Sequence, residues 1–388
     1  MSDAPNRGGR LRVVTLVDHL GTSGGGERLA MEISKRLDRE RFEPIHCASR
    51  YDPELAGPAT RAAAAELEQA GVRVVGLGRT SARSVAEWRP LVSLLRRERV
   101  EVLHSHKFGS NVWAAVLGKL ARVPVVVAHE HTWSFEGQPV RRFLDRELIA
   151  RGTDAFVAVS SDDRRKMIEI EGIKPRDVTF VPNGIDAVRE GDRARVREEL
   201  GIAPDAPVVG AVAVLREQKA LDVLIRAAAE LLGEFPDLRV LVAGDGPERE
   251  RLEALVRELG AEHAITLLGI RSDVPDLLAA FDVAALSSDY EGSPLAVMEY
   301  MDAALPVVAT RVGGMPDLID DGVHGHLVEP QDPSALAGAI GRLLRDREAC
   351  AAMGARARER RRSEFTIDNT VRTLERMYEE LLARSGRR

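Results

Sequence analysis

Cysteine is nearly missing: only Cys47 and Cys350 occur in 388 residues. So small a supply excludes a disulfide framework, and it fits a reducing compartment such as the cytoplasm. Long apolar runs are missing too. The longest, such as APVVGAVAVL, reach about ten residues, against the roughly 20 that a membrane helix needs. The opening stretch, MSDAPNRGGRLR, has no apolar core of a signal peptide. No block of like charge occurs, so nucleic-acid binding is not expected. There is no Asp-x-Asp, which counts against a metal-held diphosphate, and no low-complexity segment or short solenoid repeat.

What is present is the composition of a globular protein, 44% hydrophobic and 30% charged, in a chain long enough for two domains. The net charge of −6 is unevenly spread. Residues 1–186 hold 29 Lys and Arg against 25 Asp and Glu, and the remainder holds 26 against 36. That asymmetry reads either as ordinary surface variation or as a first half that faces an anionic partner, a membrane surface or a lipid-linked acceptor.

Short β-branched runs alternate with amphipathic stretches throughout, the rhythm of parallel sheets covered by helices. The first half offers LRVVTLV, FEPIHCA, VRVVGL, VEVLHS, VPVVVAH and AFVAVS. The second restarts with APVVGAVAV and continues with LRVLVAG, AITLLG, DVAALS, LPVVAT and HGHLVE. Pro182, Asn183 and Gly184 form a break between them, and a hinge is expected over residues 182–186. The reading is α/β: two doubly wound, Rossmann-like domains, 1–186 and 187–364, facing across a cleft. The last stretch, 365–388, carries Ile367, Val371, Leu374, Tyr378 and Leu381 on one helical face, which must be buried against one of the domains.

In such sheets ligands bind where strands end and helices begin, and the informative motifs lie there. GTSGGGERLAMEI follows the first strand, and its glycines expose backbone N–H groups at a helix start, a ready anion site. Arg216 and Lys219, in VLREQKALDVLIRA, sit just past a strand, where they can hold a diphosphate and stabilise a leaving group. Gly244 marks a tight turn in AGDGPERERLE. The Gly269–Ile270–Arg271 turn can offer backbone groups to a base edge. YEGSPLAVMEYMDAALPVVATRVGG places Glu291 in a loop and Glu299 about one turn inside the helix that follows. Eight helical residues span roughly 12 Å, whereas paired carboxylates of retaining hydrolases lie about 5–5.5 Å apart. The two acids are therefore expected to grip separate parts of one ligand, with the N–H groups of Ser293, Leu295 and Ala296 meeting its phosphates.

Three His-x-His pairs, His104/His106, His129/His131 and His324/His326, open a reading of another class, a zinc hydrolase, because residues i and i+2 of a strand share a face. No third ligand cluster with a general base follows in the sequence, and no metal is expected. His104 and His131 instead fall at or beyond the ends of apolar strands.

In order and spacing, GGGERLAMEI, HSHKFGSN, AHEHTW, VPNGID, LREQK, AGDGP, EGSPLAVME and ATRVGGMPDLI resemble the motifs of family 4 glycosyltransferases, which have the GT-B fold, over nearly the full chain. The resemblance implies transfer of a hexose-type sugar from a nucleotide-diphosphate sugar, with retention of configuration and without a cofactor or metal. It implies a catalytic set of His131, Arg216, Lys219 and Glu291. Glu299 would bind the donor ribose, Glu291 the sugar hydroxyls, Arg216 and Lys219 the diphosphate, and Gly25 would approach the β-phosphate. The expected donor side also holds Gly244, Ile270, Arg271, Ser293, Leu295 and Ala296, and the acceptor side His104, His106 and Asn111. The family's terminal helix packs on the first domain. The acceptor, a glycan, lipid or small molecule, stays open, as does peripheral contact with an anionic membrane. The sequence departs from many members at Val214 (arginine there), at Ala220 (glycine there) and in the Ser293–Pro294 pair. An epimerase or donor hydrolase on the same fold is the alternative.

Overall fold

The computed structural model describes residues 9–21, 24–81, 84–133 and 138–386; the outermost ends of the expected domains fall outside these. The chain forms two compact units, Met1–Asn183 with Ile367–Arg388, and Gly184–Thr366. The crossings thus fall at 183/184 and 366/367, a few residues from the expected 186/187 and 364/365.

The first unit is built on strands β1 (Leu11–Val17), β2 (Phe42–Ala48), β3 (Arg73–Gly76), β4 (Val102–His106), β5 (Val125–His129), β6 (Ala155–Ala158) and β7 (Val178–Phe180), in the order β3-β2-β1-β4-β5-β6-β7 and all parallel. β7 was not foreseen, because VTF is too short to show a period. β4 and β5 are buried along their whole length, as central strands of a doubly covered sheet must be. The helix Ile367–Ser385 belongs to this unit. Its Ile367, Val371, Leu374 and Tyr378 join Val13, Leu29, Ile33, Phe42 and Val102 in one core. The apolar stripe expected in the sequence is thus buried against the first sheet.

The second unit holds β8 (Val208–Val212), β9 (Arg239–Ala243), β10 (Ile265–Gly269), β11 (Val283–Leu286), β12 (Val307–Thr310) and β13 (Gly325–Val328), in the order β10-β9-β8-β11-β12-β13, again parallel. Aspartates cap some of its helices: Asp332 accepts from the N–H of Ala335 ahead of Pro333–Arg345, and Asp346 from that of Ala349 ahead of Arg347–Glu364. Near the end of the latter helix Arg361 is buried. It pairs with Asp302 at 3.3 Å and donates to the carbonyls of Ile185 and Asp186. Ile185 in turn donates its N–H to Phe365. The segment that enters this unit and the one that leaves it are therefore tied together.

In each sheet the strand order reverses beside the first strand, at β1/β4 and at β8/β11. Loops leaving the carboxyl ends of these strands diverge there and leave room for a ligand.

Candidate functional site

At the β8/β11 switch point of the second unit, Lys219 meets Glu291, with Nζ 2.5 Å from Oε1. The contact is well shielded, the two side chains being 19% and 6% exposed. Lys219 ends a short 3-10 turn, Glu217–Lys219, that follows β8, and Glu291 lies in the loop after β11. Further bonds join the same two loops. Ser287 donates to the carbonyl of Lys219 at 3.0 Å, the amide of Gln218 donates to Tyr290 O at 2.8 Å, and Asp289 N–H donates to Gln218 O at 2.9 Å. Ser288 adds a hydroxyl bond of 2.6 Å to the same carboxylate oxygen that Lys219 holds. Sequence reasoning passed over Gln218, Ser287, Ser288 and Tyr290. Their signal was only proximity to motif residues, and their use depends on loops that meet in space.

The 3-10 turn reaches the helix Leu221–Leu231 through Ala220, at φ +42° in the left-handed region. That geometry explains why glycine suits this position. Arg216 caps the 3-10 turn and is exposed, without an ion-pair partner among the described residues.

Glu299 lies, as expected, inside the helix Leu295–Asp302, and is buried. No side chain caps this helix, because Pro294 occupies the N-cap. The first backbone N–H groups, those of Leu295 and Ala296, therefore keep their capacity for an anion. The next residue, Tyr300, fastens the helix to the end of β8: its hydroxyl accepts from Val212 N–H at 2.6 Å and donates to Val212 O at 3.3 Å. Behind Glu291 lies Gly313, at φ +51°, where a β-carbon would come within 1.7 Å of Glu291 O. Only glycine fits there, so the double-glycine turn fixes the path of the loop.

The other expected donor-side residues are spread around the same carboxyl end of the sheet. Gly244 has φ +135° and would press a β-carbon against Ala213 O at 1.9 Å. Ile270 is 83% exposed. Arg271 spends its guanidinium on Glu199, at 2.5 and 3.0 Å, and on Asp273, at 2.8 and 2.7 Å. Only its backbone is left for a base edge.

In the first unit Gly25 opens the helix Gly25–Arg36 beside the end of β1, and Gly24 serves as N-cap with no side-chain bond. Lys107, just past β4, pairs with Glu27 of this helix. Its stem lies so near the loop that a β-carbon on Gly26 would be 3.0 Å from Lys107 Cε and 3.1 Å from the ring of His131. The sequence motifs did not single out Lys107, which this packing brings to the glycine loop.

His104, His106 and Asn111, expected on the acceptor side, are buried within the first unit. Their exposures are 0%, 1% and 0%. Asn111 accepts from Ser105 Oγ at 2.7 Å and donates to His129 O at 3.2 Å. His104 Nδ1 lies 2.6 Å from the Tyr378 hydroxyl and its Nε2 3.1 Å from His129 Nδ1. β4 is a central strand, and Tyr378 of the terminal helix covers His104, while His106 packs against His104, His129 and His131. His131, past the end of β5, is only half-buried, and its Nε2 lies 3.0 Å from His106 Nδ1. Burial lowers the pKa of all four histidines from the ordinary value, so they are neutral near pH 7.

The third imidazole that the His-x-His pairs lacked in sequence is supplied by the neighbouring strand. His104, His106 and His129 each offer a nitrogen within 4.8 Å of the others. His104 Nε2 and His129 Nδ1, however, already face each other at hydrogen-bond distance. In the last pair, His326 lies 3.4 Å from Asp321, and His324 3.7 Å from Asp320.

Residues 23–189 match the model for Glycosyltransferase Family 4, and residues 192–360 that for Glycosyl transferases group 1. A D-inositol 3-phosphate glycosyltransferase of Corynebacterium jeikeium is 32% identical over 316 residues, 75% of each chain. One of Nocardia farcinica is 35% identical over 277 residues, 66% of this chain, which spans 61% of that relative's length. An N-acetyl-alpha-D-glucosaminyl L-malate synthase of Bacillus anthracis is 30% identical over 75% of this chain and 78% of its own. Among solved structures, Anabaena HepE in complex with UDP-glucose superimposes with a TM-score of 0.82 at 24% identity, over 96% of this chain and 100% of that one. A sucrose-phosphate synthase from Thermosynechococcus elongatus gives 0.78 at 20%, over 96% and 100%. The likeness establishes a GT-B fold of two Rossmann-like units. No helix among the described residues is long and apolar enough to cross a membrane.

Proposed function

The chain belongs to glycosyltransferase family 4, and from that premise we propose that it moves a hexose-type sugar from a nucleotide-diphosphate sugar to an acceptor hydroxyl, with retention and without a metal. The observation that carries this reading is the Lys219–Glu291 pair at the β8/β11 switch point, beside the uncapped helix that holds Glu299. A cation, a row of free N–H groups and two carboxylates in succession match the diphosphate, ribose and sugar of one extended donor. Lys219, with Arg216, neutralises charge that grows on the departing diphosphate. Glu299 takes the ribose hydroxyls, and Glu291 both orients Lys219 and accepts from sugar hydroxyls. No nucleophile for a covalent intermediate is placed among the described residues, so the acceptor attacks the face from which the diphosphate leaves, and the leaving phosphate takes its proton.

The relatives' names include inositol 3-phosphate and L-malate, and the excess of basic residues in the first half suits an acceptor of that kind, small and anionic. A lipid-linked acceptor at an anionic membrane is the competing choice. Thermal-shift screening against UDP-, GDP- and ADP-sugars tests the donor, because a specific ligand raises Tm by mass action. Product analysis with and without polyol phosphates then separates transfer from hydrolysis or epimerisation. No Tm rise with any nucleotide sugar, or donor breakdown that no acceptor diverts, refutes the proposal.

A further inference from the structure

Five of the nine histidines lie on or just beyond strands of the first sheet: His46 on β2, His104 and His106 on β4, and His129 and His131 on and past the adjacent β5. Register pairs His106 with His129 across β4 and β5. Two of the contacts between rings are hydrogen bonds. The planes of His104 and His129 lie within 10° and those of His106 and His131 within 19°, with nitrogens facing at 3.1 and 3.0 Å. Between neutral imidazoles such a bond needs one N–H and one lone pair, so each ring dictates its neighbour's tautomer.

The unpartnered atoms decide which way the protons lie. His106 Nε2 and His129 Nε2 are buried and have no hydrogen-bond partner. A buried N–H without an acceptor is rarer in proteins than an under-used acceptor, so each Nε2 is better left as a bare lone pair. The proton of His106 then sits on Nδ1 and is donated to His131 Nε2. His131 must accept there and carry its own proton on Nδ1. The same rule puts the His129 proton on Nδ1, donated to His104 Nε2, and leaves His104 Nδ1–H to donate to the Tyr378 hydroxyl.

We propose that His106 is a positioning residue that holds His131 as its Nδ1–H tautomer, so that His131 offers a ligand a hydrogen-bond donor and not a base. The inference rests on the reading of His131 as the histidine beside the reacting sugar, and it adds what that histidine does there: it donates to a sugar oxygen. Nδ1 of His131 has no partner among the described residues, which leaves it for that bond. Removing a proton from the acceptor is then left to the donor's own phosphate.

The tautomers can be read without any activity, from two-bond nitrogen–proton correlations of the full chain labelled with 15N-histidine. Nδ1–H on both His106 and His131 is expected at pH 7. Nε2–H or imidazolium at His131 overturns the proposal, and so does a metal retained at the cluster, since it would take the same lone pairs. Kinetics give the second arm. His106→Leu should lower kcat roughly 10- to 100-fold with little change in KM, the usual loss when an orienting partner is removed. His106→Asn, with an amide donor where Nδ1 was, should recover most of it. His131→Asn keeps a donor at Nδ1 and should outperform His131→Gln, which places its amide at Nε2. A folded His106→Leu enzyme with kcat within twofold of wild type overturns the positioning role. If His131→Ala transfers sugar normally, the functional reading of His131 fails, whichever tautomer the spectra report.

Discussion

Replacing Lys219 by methionine keeps the stem and removes the charge, and the structure separates its two consequences. Glu291, only 6% exposed, loses a partner at 2.5 Å and keeps the Ser288 hydroxyl at 2.6 Å. Leaving a fully buried charge unpaired costs about 3–5 kcal/mol. Here Lys219 is itself partly exposed and one bond survives, so about 1–3 kcal/mol is the reasonable range. For a unit of this size, each kcal/mol moves Tm by about 2–4 °C, so the variant should melt roughly 2–12 °C lower while staying folded. Loss of transition-state stabilisation is larger in effect: one preorganised group aimed at developing charge contributes about 10²–10³ in kcat, or about 2.7–4 kcal/mol. The double variant Lys219→Met/Glu291→Gln removes the orphaned charge. It should recover most of the lost Tm and none of the transfer. Calorimetry, together with nucleoside-diphosphate release in the presence of acceptor, reads both quantities. A Lys219→Met enzyme with kcat within tenfold of wild type, or a double variant that regains transfer, would refute the assignment of Lys219 to the donor.

Three further outcomes follow from the geometry. Arg361→Ala leaves Asp302 buried with Arg362 and the Val188 N–H, and strips the carbonyls of Ile185 and Asp186 of a donor. It should cost about 3–5 kcal/mol, so a calorimetric Tm drop below 3 °C contradicts the account. Gly313→Ala forces a β-carbon onto Glu291 O and should displace the Glu291 loop. Donor KM and kcat should both worsen, at least tenfold in kcat/KM, while the helical circular dichroism signal is unchanged. The third concerns pH. Burial pushes Glu130 and Asp145 up to about 8, and Asp163 and Glu171 up to about 7. The folded state holds these protons where the unfolded chain has lost them, so stability falls as pH rises from the ordinary carboxyl range to about 8. Burial also lowers His46 to about 4 and His129 to about 3, which gives the opposite slope, ending near the ordinary histidine pKa of about 6.5. Below pH 6.5 the two trends oppose each other, and above it only the carboxyls act. Apparent Tm should therefore decline between pH 6.5 and 8.5, with a shallower slope in Asp145→Asn; a flat or rising profile counts against these protonation states.

Much of the second unit was legible in the sequence because its signals are local. The run from Leu295 to Asp302 declares its helix through Pro294 and its apolar residues, and the loop position of Glu291 follows from that start. Ala220 was recognised as an oddity, and the structure supplies the cause, a positive φ. The first unit was read less well. Its histidines were placed on the right strands, but their direction was not legible, since a residue near the end of a central strand can point into a crevice or under a covering helix. β7 was missed because three residues carry no period, and Lys107 because a lone lysine after a strand has no motif.

By itself the sequence determined two α/β units, nearly all of their strands, and which loops carry acids, glycines and cations. These follow from periodicity and turn chemistry within windows of a few residues. Tertiary structure alone decided which groups act on one another. Lys219 and Glu291 stand 72 residues apart and meet because β8 and β11 are neighbours in the sheet. His106 and His131 meet because β4 lies beside β5, and His104 is sealed in by a tyrosine 274 residues further on. Strand order and the covering of sheet faces are set by the whole core at once, so no local window of sequence contains them.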